Sequence, residues 1–299
     1  MATQPSPAST IQPYSIAEIK TIGVVGAGQM GLGIAQVLAV AGYDVALIDL
    51  NKSILDRAFA AIDKSLAKLA EKGKLTEEPR TIFARLRPGS AISELQSAQF
   101  AIEAVTENEN LKLEIFRSAD ATMNPRGIIA SNTSSLPITR LAAATKRPDR
   151  VIGMHWMNPV PLMKLVEIIR GHATAQATYE VTRALAEKSE KTTIDAQDYP
   201  GFVVNRVLMP MINEAFFALM EGVASAEDID TGMKLGTNQP MGPLALADFI
   251  GLDTCLSILN VLHSGLGDPK YRPCPLLRKY VEAGHFGKKA GRGVFAYSA

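Results

Sequence analysis

The order of apolar and polar positions divides the chain into two regions. Between residue 20 and about residue 199, short apolar runs alternate with helical periods. Helical periods cover 29–41 and about 53–72, and helices are also expected on both sides of the run at 127–131. This alternation predicts an α/β fold, a doubly wound and mostly parallel sheet with helices on both faces. The runs typical of buried strands are 21–26, 44–48, 100–105, 127–131, 151–156, 164–169 and 192–196.

The pattern changes at about Tyr199–Gly201. Helical periods follow at 204–221, 226–236 and 246–266, with almost no strand signal and with Gly and Pro pairs between them. A second, all-helical domain is therefore expected. The predicted organisation is a flexible N-terminal extension over 1–18, an α/β domain over 19–199 and a helical domain over 200–299.

The composition argues against several classes of partner. The 299 residues carry a net charge of +1, so neither nucleic acid nor an anionic membrane is expected as a partner. Cys255 and Cys274 have no metal-ligand spacing, and we interpret them as buried or bystander thiols in a reducing compartment. No metal site is expected. Residues 1–19 lack Lys and Arg, and the most apolar stretch, 34–48, is too short to span a bilayer, which favours a cytoplasmic protein.

A glycine-rich turn follows the first predicted strand. Residues 26–31 (GAGQMG) match GxGxxG, in which the first glycine permits a tight turn, the second lets a pyrophosphate approach and the third lets the helix pack closely. Asp49 ends the next strand, where a carboxylate would bind ribose hydroxyls and repel a 2′-phosphate. A Rossmann-type site for NAD is therefore predicted; the alternative is a glycine-rich turn and a helix-capping Asp. The expected contacts in the turn are Gly26, Gly28, Gln29, Met30 and Gly31.

His155 and Glu167 are candidates for acid–base chemistry. His155 lies in one predicted strand and Glu167 in the next, with a Pro-containing turn between them, so a return strand would bring the two side chains together. Hydride transfer from an alcohol needs a group that takes the hydroxyl proton, and imidazole exchanges a proton near neutral pH. A neighbouring carboxylate would fix the imidazole tautomer. The alternative is a structural His at a strand end and a Glu at a sheet edge.

Two polar segments provide further candidates. Residues 130–136 (ASNTSSL) follow a buried strand at the expected carboxyl edge of the sheet, where such folds bind ligands. Asn205 lies at the start of the helical domain, where it is placed to face a cleft between domains. The alternatives are helix capping by Ser134 and Ser135 and an interdomain hydrogen bond from Asn205.

Together these segments closely resemble the 3-hydroxyacyl-CoA dehydrogenase family. The resemblance covers about 22–297 and is far more specific than GxGxxG alone. The family commonly has two phenylalanines after the catalytic His; here they are Trp156 and Met157, a departure that bears on acyl-chain preference. The collinear runs are VVGAGQMGLGIAQV, ASNTSSLPIT, RVIGMHWMNPVPLMKLVEIIRG, PGFVVNRVLMPMINEA, EDIDTGMKLG and QPMGPLALADFIGLD.

The resemblance implies an activity and a role for individual residues. It implies NAD-dependent interconversion of an (S)-3-hydroxyacyl-CoA and a 3-ketoacyl-CoA, with the four-carbon substrates 3-hydroxybutyryl-CoA and acetoacetyl-CoA favoured. His155 is implied as the general acid/base and Glu167 as its partner, while Ser134 and Asn205 contact substrate as members of the catalytic set. The implied cofactor contacts outside the turn are Asp49, Glu107, Lys112, Asn132, Ser134 and Asn158, the last of which also supports the catalytic His.

A stripe of lysines follows Asp49 on the second predicted helix. Lys64, Lys68 and Lys72 recur at every fourth position, a spacing that places like charges on one face. The stripe is either a solvated face relieved by Asp63 and Glu71 or a site for a polyanion such as the phosphates of CoA. The family resemblance favours the second interpretation. The implied CoA contacts are Ser65, Lys68 and Lys72.

Two alternatives to this function come from other classes. One is a dehydrogenase of a free 3-hydroxy acid, an enzyme type that typically relies on a Lys for proton transfer. The other is a non-catalytic NAD-binding protein, which would be expected to lose a catalytic residue. The resemblance also implies a homodimer through the helical domain, and the alternative is that the apolar residues there form only an intradomain core. Those residues are Phe216, Phe217, Leu219, Met220, Leu256 and Leu259.

Overall fold

The computed structural model describes residues 11–297. Contacts within the chain divide it into two compact units, one ending at Tyr199 and the other beginning at Pro200. The strands of the first unit are β1 (Thr21–Val25), β2 (Asp44–Ile48), β3 (Leu86–Gly89), β4 (Phe100–Glu103), β5 (Ile128–Ser131), β6 (Val151–Trp156), β7 (Leu165–Arg170) and β8 (Thr192–Gln197). Its helices are α1 (Gln29–Val40), α2 (Lys52–Glu71), α3 (Pro79–Phe83), α4 (Glu109–Thr122), α5 (Ile138–Ala142) and α6 (Gln176–Lys188).

The strands form one sheet in the order β3-β2-β1-β4-β5-β6-β7-β8. Neighbouring strands run parallel throughout, except that β6 and β7 are antiparallel. Every residue of β4, β5 and β6 is buried, as expected for strands that are covered by helices on both faces. The predicted doubly wound, mostly parallel, Rossmann-type sheet is confirmed.

The register aligns the carboxyl ends of the central strands. Val25 is paired with both Ile48 and Glu103, and Glu103 is paired with Ser131, so β1, β2, β4 and β5 end at one edge of the sheet. Gly153 pairs with Ser131, which places the last residues of β6 beyond that edge. The segments that carry the candidate residues therefore emerge together.

Strand β3 was not predicted from the sequence. Its four residues, LRPG, contain Arg87 and Pro88, and both are exposed. A proline cannot donate a backbone hydrogen bond to a neighbouring strand and is confined to sheet edges, and β3 is an edge strand. Because β3 is exposed at the edge, it lacks the apolar run by which the buried strands were predicted.

Residues 11–18 differ from the flexible extension that the sequence predicted over 1–18. The Tyr14 N–H donates to the carbonyl oxygen of Arg126 at 3.3 Å, and the Arg126 guanidinium lies 4.3 Å from the centre of the Tyr14 ring. Glu18 pairs with the same guanidinium at 3.0 Å. Residues 11–18 are thus fastened to the first unit, while 1–10 lie outside the described residues.

The second unit is helical. The sequence predicted one helix over 246–266, but Gly251, with a φ of 105°, ends one helix and begins the next. Among residues 11–297 no single helix is long and apolar enough to cross a membrane; only α9 and α10 together, bent by 98°, meet that test. The helices are α7 (Val204–Met220), α8 (Ala226–Gly236), α9 (Pro243–Ile250), α10 (Leu252–Leu266) and α11 (Pro275–Glu282).

The apolar residues named for a dimer interface are mostly turned inward. Phe216 and Leu259 have no exposed surface and belong to the core of the helical unit. Phe217, Leu219 and Leu256 are partly buried against the same core, so these residues follow the intradomain alternative. Met220 differs, since 43% of its surface is exposed. Cys255 and Cys274 are free and buried, as predicted.

Candidate functional site

The glycine-rich turn between β1 and α1 has the geometry that its glycines predicted. Gly26 has a φ of 101°, and a Cβ there would lie 2.7 Å from the carbonyl oxygen of Ala104. A Cβ on Gly31 would overlap the carbonyl oxygen of Gly26, so the third glycine is needed for close packing of α1. Gly28, by contrast, faces open space, with no atom within 4 Å of its Cβ position. The helix N-terminus is therefore accessible to an anion at this residue.

Asp49 follows β2 and is fixed toward this turn. Its Oδ2 accepts a hydrogen bond from the Ala27 N–H at 3.0 Å, and its Oδ1 accepts one from the Asn51 N–H at 2.9 Å. Helix α2 is capped by the side chain of Asn51, not by Asp49. The helix-capping alternative for Asp49 is therefore wrong, and its carboxylate lines the mouth of the glycine turn.

A cavity of about 620 Å³ opens along this edge of the first unit. Gly26, Gly28 and Asp49 are among the residues that line it. The volume lies in the range of small-molecule and cofactor sites, roughly 300–1,000 Å³. An accessible helix N-terminus for phosphate, a carboxylate for ribose and an apolar slot for adenine together fit NAD. The slot is lined by Leu50, Ile54, Ile92, Val105, Leu111 and Ile115.

His155 and Glu167 form a buried pair. The two residues face each other directly in the antiparallel pairing of β6 and β7. The Nδ1 of His155 lies 2.6 Å from Oε2 of Glu167, a hydrogen-bond distance between an imidazole and a carboxylate. Glu167 is completely buried, and 8% of His155 is exposed. Since Nδ1 is held by the carboxylate, the ring has a fixed orientation and Nε2 is the nitrogen suited to proton exchange.

The loop after β5 is tied to the segment after β4 by Glu107. Its Oε1 accepts hydrogen bonds from the N–H of Ser134 at 2.7 Å and from the Ser134 hydroxyl at 3.2 Å. The Thr133 hydroxyl donates to Oε2 at 2.8 Å. The first N–H groups of α5 instead donate to Asp198. The alternative that Ser134 and Ser135 cap a helix is therefore wrong.

Lys112 lies beneath this loop. Its Nζ donates to Oε1 of Glu103 at 2.6 Å and to the carbonyl oxygen of Val105 at 3.2 Å, and it lies 3.6 Å from Oε2 of Glu107. Only 1% of Lys112 is exposed, so its ammonium supports the loop from inside the first unit.

Glu103 is a site residue that the sequence interpretation missed. Its carboxylate is buried and accepts hydrogen bonds from the Ser131 hydroxyl at 2.6 Å and the Val105 N–H at 2.7 Å. Burial raises the pKa of Glu103, and the Lys112 ammonium offsets that effect only in part. The sequence did contain a signal for Glu103, namely a charged residue at the end of a strand that is otherwise apolar.

Asn132 and Asn158 connect the neighbouring segments. The side-chain oxygen of Asn132 accepts a hydrogen bond from the Trp156 N–H at 2.9 Å, which ties the loop after β5 to the end of β6. The side-chain oxygen of Asn158 accepts one from Nε2 of Gln29 at 3.1 Å. The segment after β6 is thus joined to the first residue of α1.

The lysine stripe is a solvated surface of α2 without carboxylate partners. Lys64, Lys68 and Lys72 are exposed. Among the described residues, Lys52 and Asp56 form the ion pair found within α2. The expected ion pairs of the stripe with Asp63 and Glu71 are absent from this described part of the chain. An unneutralised stripe of ammonium groups favours a polyanion.

Ser65 and Asn205, the other residues expected to contact substrate, both lie in helices. Ser65 is half-buried beside the lysine stripe, and its hydroxyl accepts a hydrogen bond from Gln36 at 2.9 Å. Asn205 is the second residue of α7 and is buried in the helical unit, with 9% of its surface exposed.

Comparisons with known proteins match most of both units. The family model described as "3-hydroxyacyl-CoA dehydrogenase, NAD binding domain" matches residues 21–199, and that of the C-terminal domain of the same family matches 201–297. The chain is 59% identical over 281 residues to a probable 3-hydroxybutyryl-CoA dehydrogenase of Bacillus subtilis (strain 168), covering 94% of this chain and 98% of that protein.

Solved structures agree with these matches. The crystal structure of (S)-3-hydroxybutyryl-CoA dehydrogenase PaaH1 from Ralstonia eutropha superposes with a TM-score of 0.91 at 50% identity, covering 94% of this chain and 100% of that one. A diketoreductase structure superposes with a TM-score of 0.83 at 26% identity, covering 93% and 99%. This fold therefore also occurs in an enzyme that is named for diketones.

Proposed function

The chain belongs to the 3-hydroxyacyl-CoA dehydrogenase family, and we propose that it interconverts (S)-3-hydroxybutyryl-CoA and acetoacetyl-CoA with NAD. The contact between His155 and Glu167 carries this proposal, because it supplies a proton-transfer group of fixed orientation beyond the glycine turn. The identity to relatives named for the four-carbon substrate supports the choice of acyl chain.

His155 is assigned the proton transfer at the C3 oxygen of the substrate. NAD, when bound, would supply the acceptor for the hydride of C3, and NADH would supply the donor in the reverse reaction. During oxidation Nε2 takes the hydroxyl proton, and during reduction it donates that proton to the forming alkoxide. Glu167 holds the opposite ring nitrogen and stabilises the imidazolium. We assign Ser134 and Asn205 to hydrogen bonding of the substrate.

Cofactor binding is assigned to the glycine turn and the carboxyl edge of the sheet. Asp49 would bind the adenosine ribose and disfavour NADP, while Glu107 and Asn132 shape the nicotinamide side. Lys112 is assigned support of Glu107, in keeping with its burial. The full proposed set is Gly26, Gly28, Gln29, Met30, Gly31, Asp49, Glu107, Lys112, Asn132, Ser134 and Asn158.

The CoA phosphates are assigned to α2. Lys68 and Lys72 are exposed and without ion-pair partners in the described chain, and Ser65 lies beside them. Replacing both lysines by Ala should raise KM for acetoacetyl-CoA and leave the affinity for NADH unchanged. Replacing Lys52, which already pairs with Asp56 on the same helix, is the matched control.

One assay tests the proposed reaction. Oxidation of NADH is followed with acetoacetyl-CoA, with longer 3-ketoacyl-CoA thioesters, with free acetoacetate and with a simple diketone. We expect the highest kcat/KM for acetoacetyl-CoA and a loss of kcat of about 10²–10⁴-fold in His155→Gln, the usual contribution of general acid–base catalysis. A preference for free acetoacetate or the diketone, or an unaffected His155→Gln, would refute the proposal.

We also propose that the protein is a homodimer through its helical unit. Several apolar side chains of this unit are exposed, among them Val207 at 69%, Leu235 at 80% and Phe249 at 58%. Light scattering after size exclusion should give twice the chain mass of 32.1 kDa. A single-chain mass at micromolar concentration would contradict the dimer.

A further inference from the structure

We propose that Lys191 is a positioning residue for the reaction, which clamps the segment 157–164 between β6 and β7 and thereby holds the catalytic strand in place relative to the cofactor turn. This inference rests on the proposed roles of His155 and of the glycine-rich turn. The segment 157–164 is called the β6–β7 connection below.

Lys191 bonds directly to the β6–β7 connection. Its Nζ donates to the carbonyl oxygen of Val160 at 2.7 Å and to that of Met163 at 2.8 Å. Lys191 directly precedes β8, and 8% of its surface is exposed. Hydrogen bonds from a charged donor are stronger than those between neutral groups, and one ammonium here joins two points of the same connection.

The clamped connection reaches helix α1 at two places. Val160 packs against Gly33, where an added Cβ would lie 2.9 Å from the Cβ of Val160. Asn158 accepts a hydrogen bond from Gln29, the first residue of α1, at 3.1 Å. The connection begins immediately after β6, the strand that carries His155. Lys191 therefore holds the piece of chain that links the acid/base residue to the dinucleotide turn.

The surroundings of Lys191 show that its charge is stabilised by these carbonyls. Within residues 11–297 no carboxylate lies at ion-pair distance from its Nζ, and the centre of the Trp156 ring is 5.9 Å away. Burial lowers the pKa of Lys191 to about 8; the positive charge of Lys164 acts in the same direction and Glu190 opposes it. A buried ammonium is unfavourable without acceptors, so the side chain is held where the two carbonyls are.

Lys191 is thus distinguished from a catalytic residue by its partners, which are two main-chain carbonyl oxygens. Its ammonium faces main-chain oxygens inside the unit, so it would influence the reaction only through the connection. An error of about 1 Å in the placement of reacting groups is enough to lower a rate about 10²-fold. A positioning role therefore predicts a loss in kcat, not in the binding of the adenosine half of the cofactor.

Lys191→Met, which keeps an unbranched side chain one atom shorter and removes the donors, is the variant to compare with wild type. We expect kcat for NADH oxidation with acetoacetyl-CoA to fall about 10- to 100-fold. The Kd of ADP-ribose, which lacks the nicotinamide, should not change, because the cavity proposed for the adenosine half is not lined by the connection. Lys164→Met is the matched control, since Lys164 is exposed, is the last residue of the connection and is close enough to influence Lys191 electrostatically.

A second readout does not depend on turnover. The N–H groups of Leu162 and Met163 both donate to the Pro159 carbonyl oxygen at 3.0 Å. Amide hydrogen exchange within 157–164 should be at least about tenfold faster in Lys191→Met than in wild type or Lys164→Met, because the turn loses its anchor. The emission of Trp156, the single tryptophan, should also shift, since it lies beside the removed ammonium.

If Lys191→Met does not fold, Lys191→Gln carries the same measurements. The Gln side chain keeps a donor but is one bond shorter, so it cannot span both carbonyls. A folded variant of either kind with wild-type kcat, or with unchanged exchange in 157–164, would overturn the clamp. Wild-type protein that fails to oxidise NADH with acetoacetyl-CoA would instead refute the proposed function. The exchange experiment would still show whether Lys191 holds the connection in place.

Discussion

The side chains of His155 and Glu167 meet because of the register of two strands. In an antiparallel pair, directly opposed residues project to the same face, so opposition of these positions brings the imidazole and carboxylate together. Trp156, the next residue, points to the opposite face and is buried in the core. The replacement of the family's phenylalanine at this position therefore affects core packing and not the contact between His155 and Glu167.

Glu167→Gln tests the pair at the scale of single residues. The amide keeps the size of the carboxylate but removes the charge that stabilises imidazolium, so we expect kcat to fall about 10²-fold or more with little change in the Kd of NADH. Steady-state kinetics and NADH fluorescence titration measure the two quantities. Glu187→Gln, on the exposed pair with Arg183, should behave as wild type. Equal kcat for both variants would contradict a catalytic role for Glu167.

At the scale of elements, the turn from β1 into α1 contains one glycine that is needed for packing and another that is proposed to serve only cofactor binding. A Cβ on Gly31 overlaps a carbonyl oxygen, whereas a Cβ on Gly28 enters open space. We expect Gly31→Ala to lower the free energy of unfolding by about 1–3 kcal/mol, as overpacking does, and to lower NADH affinity with it. Gly28→Ala should leave unfolding unchanged and weaken NADH binding alone. Urea unfolding and NADH titration distinguish them, and two variants with the same profile would contradict the separation.

Lys191, which joins the β6–β7 connection to β8, predicts that the free energy of unfolding depends on pH. The pKa of Lys191 is about 8 in the folded protein, against an ordinary lysine value of 10.5. Between these values the unfolded chain binds a proton that the folded chain does not, so this residue makes the free energy of unfolding rise with pH. The difference in unfolding free energy, wild type minus Lys191→Met, should therefore increase from pH 8 to pH 10. A difference that is constant over this range would contradict the burial of the ammonium.

At the scale of the whole molecule, the two units have separate cores. The core cluster of the first unit lies within residues 19–186 and that of the second within 209–277. A chain that ends at Tyr199 should therefore fold and bind NADH, since the cofactor cavity lies within the first unit. It should not turn over acetoacetyl-CoA, because Asn205, the residue of the second unit proposed to bind substrate, is absent. Thermal unfolding and NADH titration test this expectation; a folded fragment without NADH affinity would contradict it.

Some features of this protein could be predicted from the sequence because their causes are local. Buried strands were visible as apolar runs, and β2 and β6 have the predicted bounds. The dinucleotide turn was visible because its three glycines meet backbone and packing requirements within a few residues. The edge strand β3 was not visible, because one exposed face and a proline remove the apolar run.

The sequence by itself determined the alternation of strands and helices, the glycine turn and the residue types available for proton transfer. Only the tertiary structure decided that position 155 faces position 167, that Lys112 is buried against Glu103 and that Lys191 binds the carbonyls of a distant connection. The physical reason is that periodicity and turn chemistry act between near neighbours in sequence. Strand register and the burial of a charge depend on which distant segments the folded chain brings into contact.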